Sequence, residues 1–171
     1  MVVVLVGRSE RPFYINHEIL CRYSLFFRRA LGGSSSNVIK LPEDDETSFA
    51  VFAEWLYLGE DSDTVKVSQD LDDSGQPKNG GNGRKVQDLY DFTLQFKCYR
   101  LADKLQAPGF KGQIMDEIQY HGEFCDSALP TMEQVRYAYE HFDRDDPLWQ
   151  FCVHVKRWDP RFRDTFDDPS L

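Results

Sequence analysis

The sequence predicts an α+β protein, with strands and helices intermixed at the start of the chain and helices alone in its second half. Two observations indicate this class. Three short apolar or alternating runs lie between Val2 and Pro42, where strands are expected. After residue 88, apolar residues recur at the spacing of helix faces instead. Of 171 residues, 41% are apolar and 14% are aromatic, which is enough for one packed core.

The first half begins with two strands, a helix and a third strand. VVVLVG and PFYIN are predicted strands joined by a polar turn at Arg8–Arg11. NVIKLP is the third strand and is closed by Pro42, which cannot donate to a ladder. Between the second and third strands, one helix is predicted from His17 to Leu31, and GGSSS ends it. Its inner face carries Leu20, Ser24, Phe27 and Leu31.

A second helix and a polar insertion follow the third strand. The run EDDETSFAVFAEWLYLG opens with four acids, which favour a helix N-terminus, and reaches a terminal glycine at Gly59. Its expected inner face is Phe49, Phe52, Ala53 and Leu56. Residues 60–87 then contain four glycines, six acids and four bases. Because this segment has few apolar side chains to bury, burial cannot offset the conformational entropy lost on ordering it. We therefore predict a flexible loop inserted in the fold.

The second half is predicted to be wholly helical. DLYDFTLQFKCYRLADKL is apolar nearly all round, which is typical of a helix at the centre of a core. Pro108-Gly109 breaks it, and FKGQIMDEIQYHG forms another helix. Thr131 and Gln134 form a capping box that starts the next helix. The last helix begins at Asp146-Pro147 and has apolar residues at helical spacing: Leu148, Phe151, Cys152 and Val155.

The net charge of −9 argues against a nucleic-acid binder, because phosphate neutralisation needs a basic face. The charge is uneven: residues 1–40 hold six Lys or Arg and two Asp or Glu, a balance of +4, so the remainder carries −13. Arg22, Arg28 and Arg29 either form a positive patch for an acidic partner or are spread over a solvated helix face. No run approaches the ~20 apolar residues of a membrane helix, so we expect an intracellular protein of the nucleus or cytoplasm.

The sequence predicts no catalytic or metal site, although it contains three His/Cys pairs. His17 with Cys21 lies at helical spacing, which suits a metal, a His-assisted thiolate or a packed core. His121 with Cys125, and Cys152 with His154, are looser pairs on apolar elements. None has the paired CxxC spacing of a structural zinc site or lies near an oxyanion turn. We therefore expect no enzyme, no cofactor and no small-molecule substrate. A metal-dependent hydrolase that uses these pairs is the remote alternative.

Several separated motifs resemble the BTB/POZ domain, in the branch common in fungi. The first is Tyr14-x-x-His17-x-x-Leu20-x-x-x-Ser24-x-x-Phe27. It is followed, in order, by Ile39-x-Leu41-Pro42-x-Asp44, Phe49, Trp55-Leu56-Tyr57 before Gly59, Leu89-Tyr90, and Ala102-Asp103-Lys104-Leu105. The resemblance covers residues 2 to about 121. It implies a BTB/POZ-like domain over 1–121, with residues 60–87 as an inserted loop, and a helical extension over 122–171.

The resemblance implies a small three-stranded sheet flanked by a cluster of helices, and a protein that binds proteins rather than transforming substrates. His17 would then satisfy backbone groups at a helix start. Many members form a dimer by swapping an N-terminal helix and strand, whereas this chain begins at the first core strand. Members that recruit cullin-type ubiquitin ligases commonly carry a hydrophobic-x-Glu step where this chain has GGSSS. We therefore expect self-association or scaffolding of a partner protein, with a cullin-ligase substrate adaptor as the alternative.

Partner binding is predicted to use a few aromatic or arginine anchors, as protein interfaces generally do. The candidates are Tyr23, Phe26 and Arg29 on the outer side of the first helix, and Tyr57 at the end of the second. Phe26 is equally well explained as a residue that completes the core. No catalytic, cofactor-binding or metal-binding residue is assigned.

Overall fold

The computed structural model describes residues 1–33, 36–58, 92–124 and 129–158. Within these ranges the chain forms a three-stranded mixed sheet and seven helices, which confirms the predicted mixture of strands and helices. The predicted insertion at 60–87 and the terminal Gly59 lie outside the described residues. The elements are β1 (Val2–Val6), β2 (Arg11–Ile15), α1 (His17–Tyr23), α2 (Leu25–Gly32), β3 (Val38–Leu41), α3 (Glu46–Leu58), α4 (Phe92–Lys104), α5 (Pro108–Phe124), α6 (Met132–His141) and α7 (Pro147–Trp158).

The sheet contains the three predicted strands in the order β2-β1-β3. β1 and β2 are antiparallel and form a hairpin, whose turn contains Gly7 at φ +75°, a conformation that glycine adopts without strain. β3 is parallel to β1, so the helices between them return the chain to the same end of the sheet. Alternate residues of the sheet face the helices and are buried: Val2, Val4, Val6, Ile15 and Leu41.

The prediction of one helix from His17 to Leu31 is wrong, because Ser24 divides it into α1 and α2. Ser24 has extended backbone angles, φ −134° and ψ 121°, so it ends α1 and starts α2. Its buried hydroxyl accepts from the Phe27 N–H at 3.2 Å and donates to the Leu105 carbonyl at 2.5 Å. The predicted inner-face residues are all buried even so, because the two short helices pack on the same core.

Helix α3 is buried on more sides than its pattern indicates. Asp45 precedes the helix and accepts from the Ser48 N–H at 2.9 Å, which satisfies one of the unpaired donors of the first turn. Burial raises the pKa of Asp45, but the Ser48 hydrogen bonds and nearby Lys97 outweigh burial, and the net pKa is lowered. The predicted Phe49, Phe52 and Leu56 are buried and Ala53 is half-buried, while burial also includes Ser48, Val51 and Trp55.

Helix α4 lies at the centre of the helical cluster, as predicted. It contacts α3, α5 and α6, and its buried residues surround the helix except along one stripe, which is formed by Thr93, Lys97, Arg100 and Lys104. Helix α5 starts at Pro108, whose missing N–H costs nothing in a first turn. The buried side chains of α4 are Phe92, Leu94, Gln95, Phe96, Cys98, Tyr99, Leu101 and Ala102.

The last two helices pack against this central helix. The capping box of Thr131 and Gln134 is confirmed at the start of α6, and α7 begins at Pro147 as predicted. The Tyr99 ring meets Phe142 at 5.4 Å between centroids, and Phe92 stacks on Phe151 at 6.3 Å. Residues from β1 to α7 therefore belong to one buried cluster. The proposed division between residues 121 and 122 falls inside α5 and remains a prediction.

Candidate functional site

The four predicted binding residues lie in two groups. Tyr23 and Tyr57 lie where α1 packs on the end of α3. The Tyr23 ring is half-buried and meets Trp55 edge-on at 5.2 Å between centroids. Tyr57 is 57% exposed, and its hydroxyl accepts a hydrogen bond from the Asn16 N–H at 3.2 Å. Tyr23 thus partly completes the core, while Tyr57 presents its ring to solvent.

The second group, Phe26 and Arg29, lies on α2 beside the link between α4 and α5. Phe26 is half-buried, and its backbone N–H donates to the Leu105 carbonyl at 3.3 Å. Its ring lies edge-on to Phe27, so it packs against the core. Arg29 is exposed and donates to the Gln106 side-chain oxygen at 3.1 Å. Arg29 is thus the exposed member of this pair.

An exposed surface around Arg29 was only partly foreseen from the sequence. Leu25, Arg28 and Arg29 have helical i, i+3, i+4 spacing, which places them together on the outer face of α2. Arg22 adjoins them from the end of α1, because Arg28 donates to its carbonyl oxygen at 3.4 Å. Gly32 is exposed at the other end of α2. We call these five residues the basic corner. The missed signal was Leu25, an apolar residue opposite the buried Phe27 and Leu31.

Arg28 and Arg29 of the basic corner are held by uncharged oxygens. Arg28 donates from Nε to the Cys21 carbonyl at 2.9 Å, in addition to its bond to the Arg22 carbonyl. Both acceptors lie in the last turn of α1, where carbonyls lack helical partners and favour a cation. The Arg22 guanidinium lies 5.5 Å from the centroid of the Tyr23 ring. The corner is thus positioned by the fold but keeps its positive charge.

His17 and Cys21 do meet on α1. The Cys21 sulfur lies 3.8 Å from Nε2 and 4.0 Å from Nδ1 of His17, which is exposed. Asn16, not His17, caps the helix, since its side-chain oxygen accepts from the Glu18 N–H at 2.8 Å. Asn is a preferred residue immediately before a helix, and this signal was available in the sequence. Among the described residues, no three His, Cys, Asp or Glu side chains are grouped as metal ligands would be.

Of the other two His/Cys pairs, only Cys152 with His154 lies wholly within the described residues. Cys125 lies outside the described residues, so its relation to His121 is not described. Cys152 is fully buried, and burial raises the pKa of its thiol to about 12. Burial also raises the pKa of Cys98 to about 12. Both thiols are therefore neutral at physiological pH, whereas Cys21 is half-exposed.

A polar cluster lies between α3 and α5. The buried Trp55 indole donates to the Gln113 side-chain oxygen at 2.7 Å. The Gln113 amide nitrogen lies 3.5 Å from a carboxylate oxygen of Glu117. Burial raises the pKa of Glu117, and the hydrogen bond from Gln113 opposes this only in part. The cluster pairs the indole N–H while leaving a carboxylate in poorly hydrated surroundings.

No protein-family model and no curated protein sequence matches this chain. Among the described residues, no helix is both long and apolar enough to cross a membrane. The observations that bear on function therefore come from this chain's own structure: one buried core, the exposed Tyr57 and the basic corner.

Proposed function

We propose that the chain is a non-enzymatic protein–protein interaction module of the BTB/POZ type, which holds a partner protein or a second copy of itself. A module of this kind works inside the cell, in the nucleus or the cytoplasm. The proposal draws on the sequence motifs that resemble this family and on the way in which the fold brings those motifs together. Its binding anchors are the exposed residues of the predicted set, Tyr57 and Arg29.

One observation carries the proposal: the first and last motif segments meet in the core. Ser24 and Leu105 are separated by 81 positions in sequence, and the Ser24 hydroxyl donates to the Leu105 carbonyl. The neighbouring backbone adds two more bonds, from Leu25 N–H to the Gln106 carbonyl at 3.2 Å and from Phe26 N–H to Leu105. Five of the motif residues between them are buried in the same cluster: Leu41, Phe49, Trp55, Leu56 and Ala102.

The exposed end of α3 supports a binding role. Tyr57 and Leu58 are both about half-exposed there, and an aromatic ring next to an aliphatic side chain is typical of an interface anchor. The hydrogen bond from the Asn16 N–H orients the Tyr57 ring, so little side-chain entropy is lost on binding. Tyr57 is therefore the residue on which a test of the interface is best placed.

Light scattering on the full chain over a concentration series tests self-association. We expect the mass to rise above that of the 20.0 kDa protomer, and Tyr57→Ala to weaken the assembly because the ring is lost. Tyr57→Phe is the matched control, since it keeps the ring and removes only the hydroxyl. A mass that stays at 20.0 kDa throughout excludes self-assembly in that range.

A pull-down with a purified cullin tests the adaptor form of the same proposal. Binding at micromolar affinity or tighter supports a ligase adaptor, and absence of a complex leaves the scaffold role. If the chain neither self-associates nor binds a cullin, the two functions drawn from the BTB/POZ resemblance fall. Stoichiometric zinc retained after dialysis would instead favour the hydrolase alternative.

A further inference from the structure

The basic corner holds three guanidinium groups that form no ion pair with an acid of the described residues. Five ion pairs occur in the described part of the chain, and each of them uses a lysine. Glu18 is the one acid on α1 and α2, and it forms no ion pair among the described residues. The corner therefore carries an excess of positive charge on a chain whose net charge is −9.

The corner also has an apolar centre. Leu25 is 40% exposed and lies on the same helix face as Arg28 and Arg29. No atom of the described residues lies within 4 Å of the position that a Cβ atom would take at Gly32, so the described surface is open beside this face. A peptide can therefore approach the face closely and place an apolar side chain against Leu25.

Two of the three arginines, Arg28 and Arg29, are positioned before any partner arrives. Arg28 is tied to two carbonyls of α1, and Arg29 is tied to the Gln106 amide. A guanidinium has five N–H donors, and these bonds use only one or two of them. The remaining donors are suited to carboxylates, which arginine binds in a bidentate geometry. Little additional ordering is needed, and this favours binding.

The charge of the rest of the chain makes this surface selective. Residues beyond 40 carry a net charge of −13, which opposes the approach of an acidic segment to the chain as a whole, whereas the three guanidinium groups attract it at the corner. A nucleic acid is a poorer match, because its extended row of phosphates would also lie against acidic surface. The observations thus favour a short acidic segment of a protein.

We propose that the basic corner docks an acidic peptide segment of a partner protein, in which carboxylates flank one apolar side chain. The carboxylates pair with Arg22, Arg28 and Arg29, and the apolar side chain covers Leu25. This inference rests on the proposed interaction function and adds the chemistry of the partner.

The test is a binding titration of the full chain with a short dye-labelled peptide in which glutamates flank a central leucine. We expect binding that weakens as salt is added, because exposed charge pairs are screened. The same peptide with serine in place of leucine is expected to bind more weakly. Arg22→Gln combined with Arg29→Gln is expected to lower the affinity about tenfold. Arg28 is left unchanged because it holds the end of α1.

Matched variants distinguish the effect of the corner's own arginines on peptide affinity from the effect of the chain's net charge. Arg8→Gln combined with Arg136→Gln removes the same charge at two exposed sites away from α1 and α2, and is expected to leave the affinity unchanged. Gly32→Glu places an acid beside the corner in open space and is expected to abolish binding, while Gly32→Ala retains it. Unfolding midpoints of all variants show whether each is folded.

Any one of three results overturns the proposal. The first is that the peptide does not bind the unchanged chain at low salt. The others are an equal loss of peptide affinity in the two double-arginine variants, or RNA binding that is weakened by the same changes in the corner. The proposed function has its own readouts, in the light scattering and the cullin pull-down. If those succeed and the peptide does not bind, only the docking inference fails. If the peptide binds and those fail, the corner stands without the BTB/POZ-type function.

Discussion

At the residue scale, one buried and one half-buried polar side chain show how the fold accommodates groups that burial penalises. Ser24 gains two hydrogen bonds and becomes the junction of two helices. Glu117 gains only a long contact with Gln113, so its carboxylate is poorly compensated and its pKa is raised. The Ser24 hydroxyl stabilises the folded chain, whereas the Glu117 carboxyl lowers its stability when it is ionised.

The change Glu117→Gln tests this cost. Because burial raises the pKa of Glu117, the folded state binds its proton more tightly than the unfolded state does. The stability of the unchanged chain therefore falls as pH rises through the unfolded pKa of ~4.3 towards the folded pKa. Glutamine cannot ionise, so we expect the variant to gain stability relative to the unchanged chain as pH rises from ~4 to ~7. Urea unfolding across this range measures the difference.

The matched control is Glu54→Gln, which changes an exposed glutamate of α3. If the two variants differ from the unchanged chain by the same amount at every pH, then burial of Glu117 is not the cause and the prediction fails.

At the element scale, the close approach of α7 to α5 depends on a glycine. A Cβ atom on Gly122 would lie 2.5 Å from the Phe151 ring, a distance that requires the ring or one of the two helices to move. Gly112 lies on the same helix, and nothing is within 4 Å of the equivalent position there. α5 thus offers two glycines with opposite surroundings.

Alanine at these two positions is expected to have opposite effects on the free energy of unfolding. Gly112→Ala should stabilise by up to ~1 kcal/mol, because alanine is the better helix former. Gly122→Ala should destabilise by ~1–2 kcal/mol, since the overlap with Phe151 outweighs that gain. Denaturant unfolding of both variants measures the two values. Stabilisation by both changes would mean that α7 does not lie against α5 at Gly122.

At the scale of the whole molecule, one buried cluster extends from β1 to α7. Leu148 of α7 is fully buried in it, and Leu148→Ala is expected to cost ~2–5 kcal/mol. Because α7 shares the core with the rest of the chain, the loss should reach elements far from it in sequence. We expect faster hydrogen exchange of the α3 amides, measured by mass spectrometry.

Met132→Ala is the control for this experiment, since Met132 lies in the same C-terminal part but is exposed. Unchanged protection of α3 in Leu148→Ala would show that α6 and α7 unfold separately, as an independent extension would. The predicted boundary at residue 121 would then be supported.

The local elements of this chain follow from short stretches of its sequence. The three strands, the capping box at Thr131 and the start of α7 at Pro147 were all predicted, because each depends on residues within one turn or one strand. The buried face of α7 was predicted for the same reason, since Leu148, Phe151, Cys152 and Val155 recur at helical spacing.

The division of the first helix, the parallel pairing of β3 with β1 and the burial of α3 on several sides were settled by contacts between distant segments. The partner of Ser24 is 81 residues away, and that of Arg29 is 77 away. A periodic pattern predicts which residues of an element face the core, but it does not predict which distant residue each of them contacts. The basic corner depends on both the sequence and the tertiary structure. Its arginines and Leu25 are visible in the sequence, but only the fold places them together on one open surface.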